Sequence, residues 1–459
     1  MECELSGIRA ETESLCPQCL TRIPALLEAA GDEVYLLKSC PDHGEFRTIV
    51  WRGEPEFGGW KRGKTGIRSG VCHTETGKGC PFDCGLCPEH RKNGCTAVIE
   101  VTSRCNLSCP VCFADSRDGS GPDPDLDTIA GWYQSVLRVS GPEIILQLSG
   151  GEPTVRGDLP CIVEMGRAKG FSFIQLNTNG LRLAAEKDYA KVLRGAGLSS
   201  VFLQFDGTED AIYRAIRGEA LYMAKREAIE RCAENDIGVV LVPTLVPGVN
   251  THNIGAILDL ALELGPTVRG VHFQPVSHFG RYPRIPANSR RLTLPDVMQA
   301  IEEQTGGRMK KEDFTPPSWE NSLCSFHGNF VPLPGGGVQA LSGQGATGGC
   351  CEERAVSFTA RQWSAPERGG RMDPPGDNVG FGSCREDSAE SLDGFLERVR
   401  AKMLSVSCMA FQDVWNLNLE RVRDCCIHVV APDGRMIPFC LYNLTSATGE
   451  RLYRGKPSV

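Results

Sequence analysis

The sequence predicts an α/β fold built on a parallel sheet, open or closed into a barrel. Six short apolar segments, TAVIEVTS, EIILQLSGG, FSFIQLNTNG, SVFLQFDG, GVVLVPTLV and GVHFQPVS, read as buried strands. Most are separated by about 15–30 residues of helical pattern, such as DAIYRAIRGEALYMAKREAIERCAEN, and such alternation implies a parallel sheet. Each strand ends in a polar cluster (SRCN, SGGEP, NTNG, FDG, VPGVN, PVSHFGR). In parallel α/β folds the site lies at those carboxyl ends.

The flanking elements differ in texture. Residues 1–69 hold CPQC, an apolar stretch from Val34 to Leu37, and SCPDHG, and close on the Gly/Lys/Arg-rich link GGWKRGKTGIRSG. Residues 70–96 are packed with Cys, Gly and Pro without periodicity, as expected for a loop wrapped round a metal centre. Residues 97–290 carry the strand–helix alternation. Over 291–459 the pattern weakens. PGGGVQALSGQGATGG (334–349) lacks the Gly-Lys-Ser/Thr ending of a phosphate loop and reads as a flexible loop. Residues 361–390 are polar, and a last compact piece from Ser391 ends in VRDCCIHVVAPDGRMIPFC. The length of 459 residues agrees with about three domains.

The net charge of −8 argues against a nucleic-acid binder, which needs a basic surface. No run approaches the ~18 apolar residues of a membrane span. The start, MECELSGIRAETES, is too acidic and polar for a signal peptide, so a cytoplasmic protein is expected.

The 22 cysteines are the informative count. Disulfides are disfavoured in a reducing cytosol, which moves the reading to metal ligation or redox catalysis. Twelve lie in residues 1–112, only Cys161 and Cys232 between 113 and 320, and eight from Cys324 to Cys440. Both ends therefore read as metal-bearing modules.

The strongest signal is TSRCNLSCPVC, with Cys105, Cys109 and Cys112 spaced C-x3-C-x2-C directly after the first core strand. Three thiolates on one loop can hold three irons of a [4Fe–4S] cube and leave the fourth open to a small molecule. The competing reading is zinc. A second C-x3-C-x2-C, Cys80, Cys84 and Cys87, has a fourth thiol nearby at Cys95, with Cys72 as a competitor. Four thiolates would close a cluster completely, as an electron carrier or structural element; a zinc knuckle is the alternative. Cys16, Cys19, Cys40 and His43, spaced C-x2-C-x20-C-x2-H, suit one tetrahedral ion, zinc or rubredoxin-like iron, with Cys3 as an alternative fourth ligand.

Toward the C-terminus, Cys408, Cys425, Cys426 and Cys440 suggest another cluster, with Cys324, Cys350, Cys351 and Cys384 as further candidates. Adjacent Cys425 and Cys426 point in different directions, so one of them is expected to be free. Cys161 and Cys232 sit in apolar helical patterns and read as core. His272 is either a lumen residue or a satisfied core residue. His278 follows a strand end and is a substrate-site candidate, and His428 lies near the last cysteines. No G-x-S-x-G or H-E-x-x-H supports hydrolytic chemistry.

The triplet after the first strand resembles the signature of radical S-adenosylmethionine (SAM) enzymes, over residues of about 97–290. The resemblance implies a partial (β/α)6 barrel flanked by small cysteine-rich metal-binding modules at both ends. It matches Gly150, Gly151 and Glu152 of SGGEP to the family's GGE segment, which binds the methionyl amino group of SAM. By strand-end position it makes Asn179, Gln204 and Asp206 candidates for cofactor or substrate contacts. The family usually has an aromatic residue just before the third cysteine; here Val111 stands there and Phe113 follows, so adenine packing does not carry over by position.

The CPxC…CPxHG opening, the GCPxxCGLCPEH segment and the terminal CxIHxxxPDGRxIPFC resemble the tetraether synthase-like group and related radical SAM (seleno)proteins often encoded with a methyltransferase. That resemblance implies an N-terminal mononuclear metal (Zn or Fe) and two auxiliary [4Fe–4S] clusters. It carries over Cys16, Cys19, Cys40 and His43; Cys80, Cys84, Cys87 and Cys95; and Cys425 with Cys440. It further implies a 5′-deoxyadenosyl radical that abstracts hydrogen, an electron donor such as flavodoxin or ferredoxin, and a lipid alkyl chain as substrate for carbon–carbon bond formation. The alternatives are radical modification of a peptide or cofactor precursor and, outside enzymes, a multi-zinc interaction protein. A lipid substrate predicts a long apolar tunnel.

Overall fold

A computed structural model of the chain describes residues 9–60, 72, 74–116, 121–282, 287–317, 320–334, 336–342, 352–366 and 392–455. Cys3, Cys350, Cys351 and Cys384 lie outside the described residues, as do most of 361–390 and part of 334–349.

The N-terminal unit is an antiparallel meander of β1 (Arg9–Leu15), β2 (Arg22–Ala30), β3 (Glu33–Cys40) and β4 (Gly44–Arg52). The Gly31–Asp32 turn joins β2 to β3, and Gly31 takes the positive φ of +67° that favours glycine. The apolar Val34–Leu37 stretch lies in β3 and packs into the main core through Val34 and Leu36.

The six sequence-predicted strands all form: β5 (Thr96–Thr102), β6 (Ile145–Gly150), β7 (Phe173–Thr178), β8 (Ser200–Gln204), β9 (Gly238–Val242) and, after the short β10 (Thr244–Leu245), β11 (Val268–Pro275). They are mutually parallel and, β10 aside, neighbours in chain order, as right-handed strand–helix crossovers produce. The segment GVVLVPTLV splits at Pro243, which has no N–H for the ladder; β10 beyond it pairs with β11 alone.

Helices α1 (Leu126–Ser140), α2 (Leu159–Ala168), α3 (Leu181–Ala185), α4 (Tyr189–Gly195), α5 (Asp210–Arg217), α6 (Tyr222–Glu234) and α7 (Ile254–Glu263) supply the crossovers. The long helical pattern over 210–235 is two helices. Gly218 at φ +90° ends α5, and a new helix starts four residues on. Cys232 is buried core, as expected. Cys161 is not: it lies on the exposed side of α2, opposite the buried Leu159, Ile162 and Val163.

The C-terminal elements extend the same sheet. After α8 (Leu294–Gln304), β12 (Ser325–Pro332) and β13 (Val338–Ala340) lie antiparallel outside β14 (Leu404–Met409), which runs parallel to β11. On the opposite edge β15 (Ile427–Val430) pairs parallel with β5, and β16 (Met436–Pro438) closes that side. Helices α9 (Glu352–Trp363), α10 (Leu392–Lys402), α11 (Leu419–Arg423) and α12 (Phe439–Asn443) complete the order. Among the described residues, no helix is long and apolar enough to cross a membrane.

The N-terminal sheet is tied to this body by buried polar contacts. The Lys38 ammonium donates to the carbonyls of Leu15 and Val414 at 3.0 and 2.7 Å, and burial lowers its pKa to about 7.

Candidate active site

The glycines of SGGEP explain how the site is assembled. Gly150 has φ +130°, and a Cβ there would sit 2.1 Å from the Thr102 carbonyl oxygen. A Cβ on Gly151 would lie 2.1 Å from the Arg104 oxygen. The bare backbone lets Gly151 N donate to Thr102 O and Glu152 N to Arg104 O, each at 2.8 Å. The end of β6 is thus laced to the start of the cysteine loop. Gly280, at φ +53°, does the same from the far side: a Cβ would meet the Phe113 and Cys112 oxygens at 2.6 and 2.7 Å. Its neighbour Arg281 exchanges backbone hydrogen bonds with Cys112 and donates through Nε to the Cys109 carbonyl at 2.8 Å.

The loop presents Cys105, Cys109 and Cys112 to a cavity of about 410 Å³ that also touches Gly150, Gly151, Glu152, Asn179 and Gln204. These sequence candidates are therefore brought together. The Glu152 carboxylate accepts from Thr154 N (3.0 Å), Thr154 Oγ1 (2.6 Å), Thr178 Oγ1 (2.6 Å) and Asn179 N (2.6 Å). Asn179 donates to Asn106 of the cysteine loop at 2.7 Å, so the ends of β6 and β7 share one network with that loop.

Asp206 has a different place. It is fully buried and does not line the cavity; both oxygens accept from Arg217, at 2.7 and 2.8 Å. Arg217 does line the cavity, and its positive charge acts on the Cys109 thiol, opposing the rise in pKa that burial imposes there. Burial pushes Cys105 up to about 12, so its thiol stays protonated until a metal displaces the proton.

Lys225 lies behind the cavity wall: Nζ donates to Asn179 O at 2.5 Å and to Gln204 Oε1 at 3.2 Å, and desolvation lowers its pKa to about 8. Neither Arg217 nor Lys225 was singled out from sequence. Lys225 had a signal, because it shares the apolar stripe of Leu221, Ala228, Ile229 and Cys232, where a charged residue is out of place.

Below this layer the lumen is polar and aromatic. Gln147 donates to Gln175 at 2.9 Å, and His272 Nδ1 lies 2.8 Å from Ser407 Oγ. The Phe202 ring lies 5.4 Å from His272 and 5.9 Å from Trp363. His272 is a lumen residue, and desolvation lowers its pKa to about 4, so it is neutral near pH 7. Beside Cys112 an aromatic wall faces the cavity: Phe439 packs on Phe411 (4.5 Å), Phe113 (5.7 Å) and Phe279 (6.4 Å). His278 does not line the cavity. Its Nδ1 lies 2.8 Å from Asp413, a buried carboxylate that Arg291 also holds and that these partners keep well below the usual range.

Elsewhere, Cys16, Cys19, Cys40 and His43 place their ligand atoms within 4.8 Å of one another. Cys19 and Cys40 sulfurs are 4.0 Å apart, and His43 Nδ1 lies 3.4 Å from Cys40 Sγ. Bonds of ~2.3 Å to a tetrahedral ion require sulfurs about 4 Å apart, so the four suit one ion. Among the described residues no other set of three or more reaches this compactness. The Cys105, Cys109 and Cys112 group is wider, as a cube rather than a single zinc needs.

Two expectations are corrected. Cys95 does not join Cys80, Cys84 and Cys87: its backbone N donates to Cys426 O at 2.7 Å, and its Sγ lies 2.6 Å from Cys426 Sγ. Cys408 lies apart from the other C-terminal cysteines: it is fully buried in the apolar core on β14, and burial alone raises its thiol pKa, with no other cysteine among the described residues acting on it. Cys324, one of the further candidates, lies near Cys425 and Cys440: Cys324 and Cys440 both act on the Cys425 thiol, and Arg421 donates to Cys324 Sγ at 3.4 Å. Cys425 and Cys426 do face different partners, and Cys72 is exposed.

A sequence-family model described as the radical SAM superfamily matches residues 99–261, and one described as an HMPTM N-terminal zinc ribbon domain matches residues 8–52. The chain belongs to the radical SAM superfamily and is an enzyme of that class. Over 475 aligned residues it is 35% identical to the 7,8-dihydro-6-hydroxymethylpterin dimethyltransferase of Methanocaldococcus jannaschii, covering 94% of this chain and 93% of that one. An Fe-coproporphyrin III synthase of Methanosarcina barkeri is 30% identical over 45% of this chain and 49% of its own. The crystal structure of Streptococcus suis SuiB bound to its precursor peptide aligns with a TM-score of 0.38 at 15% identity, over 47% of this chain and 46% of that one. Membership brings with it a [4Fe–4S] cluster, SAM and the need for a reductant. The whole-length relative acts on a pterin, and none of these findings points to a lipid.

Proposed function

We propose that this radical SAM enzyme modifies a cofactor precursor, a dihydropterin, by replacing C–H with C–CH3, for which a second SAM would be the methyl donor, S-adenosylhomocysteine the leaving product and the external reductant the source of the electrons. The observation that carries this is the cavity, together with the whole-length similarity to an enzyme of that name. A planar, amide-bearing heterocycle suits a lumen that offers the Gln147–Gln175 amides, the His272–Ser407 pair and the rings of Phe202 and Phe439. An alkyl chain would strip water from those amides without replacing their hydrogen bonds, at about 1–3 kcal/mol each. The expected lipid substrate therefore gives way to the cofactor alternative.

Cys105, Cys109 and Cys112 would hold the cluster, and Glu152 with the Gly150–Gly151 backbone would hold the SAM ammonium and carboxylate end. When bound, the cluster and SAM supply a 5′-deoxyadenosyl radical for hydrogen abstraction. Arg217 places a fixed positive charge on the Cys109 thiol, and Lys225 locks Asn179 and Gln204 at the strand ends. Cys16, Cys19, Cys40 and His43 would hold one zinc or iron ion, and Cys324, Cys425 and Cys440 an auxiliary cluster. A low-potential carrier such as flavodoxin or ferredoxin would be the electron donor.

The test is anaerobic reconstitution with iron and sulfide, then incubation with SAM, reductant and 7,8-dihydro-6-hydroxymethylpterin. The expected result is 5′-deoxyadenosine together with pterin carrying added methyl groups, both absent in Cys105→Ala. Cleavage of SAM with the pterin recovered unchanged refutes the substrate assignment.

A further inference from the structure

We propose that Cys80, Cys84, Cys87 and His90 form a second iron–sulfur site in which the His90 imidazole is the fourth ligand. This rests on the reading of the chain as an iron–sulfur enzyme. Spacing alone favoured Cys95, but β5 begins beside Cys95 and pairs with β15, which keeps that residue at Cys426.

The remaining geometry points to His90. His90 and the three cysteines line one small cavity, in which Cys95 takes no part. The His90 backbone N donates to Cys87 O at 2.9 Å, closing the turn that brings the histidine back beside the thiols and giving the spacing C-x3-C-x2-C-x2-H. The residue is 6% exposed. Nε2 lies 2.8 Å from the Cys425 carbonyl, with His428 Nε2 at 3.2 Å. An imidazole that binds a metal through one nitrogen characteristically donates its other N–H to such a carbonyl, which fixes tautomer and ring orientation. Nδ1 is then the ligand atom.

A single tetrahedral ion does not fit, because these four ligand atoms do not gather within 4.8 Å as the Cys16–His43 group does. A cube takes the wider spread. Arg423, whose positive charge acts on Cys80, offsets the negative charge of the thiolates. The arrangement also joins two sites, since the carbonyl that accepts from His90 belongs to Cys425 of the Cys324–Cys425–Cys440 group. Exchanging a thiolate for imidazole raises a cluster's potential, so this site is expected to hold its electron more tightly than an all-thiolate one.

The test uses the full chain, reconstituted and reduced without oxygen, with Cys105, Cys109 and Cys112 all changed to Ala to remove the first cluster's signal. Pulsed EPR reads nitrogen bound directly to a reduced cluster. A strongly coupled nitrogen is expected. It should disappear in His90→Ala and in His90→Cys, with His90→Cys retaining the site's iron at a lower midpoint potential; Cys95→Ala should keep the nitrogen signal. No coupled nitrogen in the parent, its survival in His90→Cys, or its loss in Cys95→Ala overturns the assignment. Failure of the radical SAM reading is seen separately, as an unaltered chain that does not cleave SAM.

Discussion

Replacing Gly151 by alanine tests whether the close approach of β6 to the cysteine loop builds the active site. The added Cβ would start 2.1 Å from Arg104 O and 2.7 Å from Arg104 C, and must reach a contact beyond 3.0 Å. Both obstacles are backbone, so no side chain can swing aside. The loop must retreat by about 1 Å, which strains the paired bonds Gly151 N to Thr102 O and Glu152 N to Arg104 O. Losing two buried backbone hydrogen bonds costs about 1–3 kcal/mol. A shift of ~1 Å in a reacting geometry lowers the rate by about 10²-fold. The assay is 5′-deoxyadenosine formation at saturating SAM, beside chemical unfolding of the same protein. Gly131→Ala is the control: it lies in α1 with nothing within 4 Å of its Cβ position, and should stabilise by up to ~1 kcal/mol at unchanged rate. A Gly151→Ala protein with the parent's rate and stability would refute the reasoning.

Asp206→Asn should destabilise the fold by about 3–5 kcal/mol, because it leaves the Arg217 charge buried without its counter-ion, and should slow SAM cleavage through the Cys109 contact; urea unfolding and deoxyadenosine assays check both. Burial lowers the pKa of Lys225 to about 8 in the folded chain, against 10.5 for an ordinary lysine, so between these pH values the unfolded chain binds more protons and stability from this group rises with pH. Lys225→Met should remove that rise, as read by unfolding at a series of pH values. Cys408→Ala should cost about 1–2 kcal/mol as a core truncation and leave the iron content intact, whereas Cys440→Ala should lose iron. Cys16→Ala should lose one metal ion per chain and expose β1–β4 to limited proteolysis, since a site with a missing ligand no longer supplies folding energy.

The six barrel strands were legible because strands buried on both faces leave continuous apolar runs, which a local pattern can show. The cysteine triplet and SGGEP were legible because both constraints are local, a loop carrying three thiols and a backbone approach that only glycine permits. Pro243 and Gly218 divided elements that the apolar pattern had joined, and both carried the signal in their own chemistry. Asp206 went astray because a strand-end carboxylate looks the same whether it faces a ligand or a buried arginine eleven residues on in the chain. Cys95, Cys324 and Cys408 could not be sorted by spacing, since their surroundings depend on β12, β14 and β15 joining the barrel sheet from far along the chain. Cys161 showed that an apolar helical pattern does not fix which side faces outward when the residue lies at the stripe's margin.

The central claim is that a radical generated at the Cys105–Cys112 loop acts on a dihydropterin held in the barrel lumen. Its most direct test is incubation of the reconstituted enzyme with SAM, reductant and 7,8-dihydro-6-hydroxymethylpterin deuterated at its carbon-bound positions, with mass analysis of the 5′-deoxyadenosine formed. The account predicts deuterium in the deoxyadenosine and its absence when Cys105 is alanine. Deoxyadenosine that carries no deuterium, formed at the same rate with or without the pterin, would contradict it.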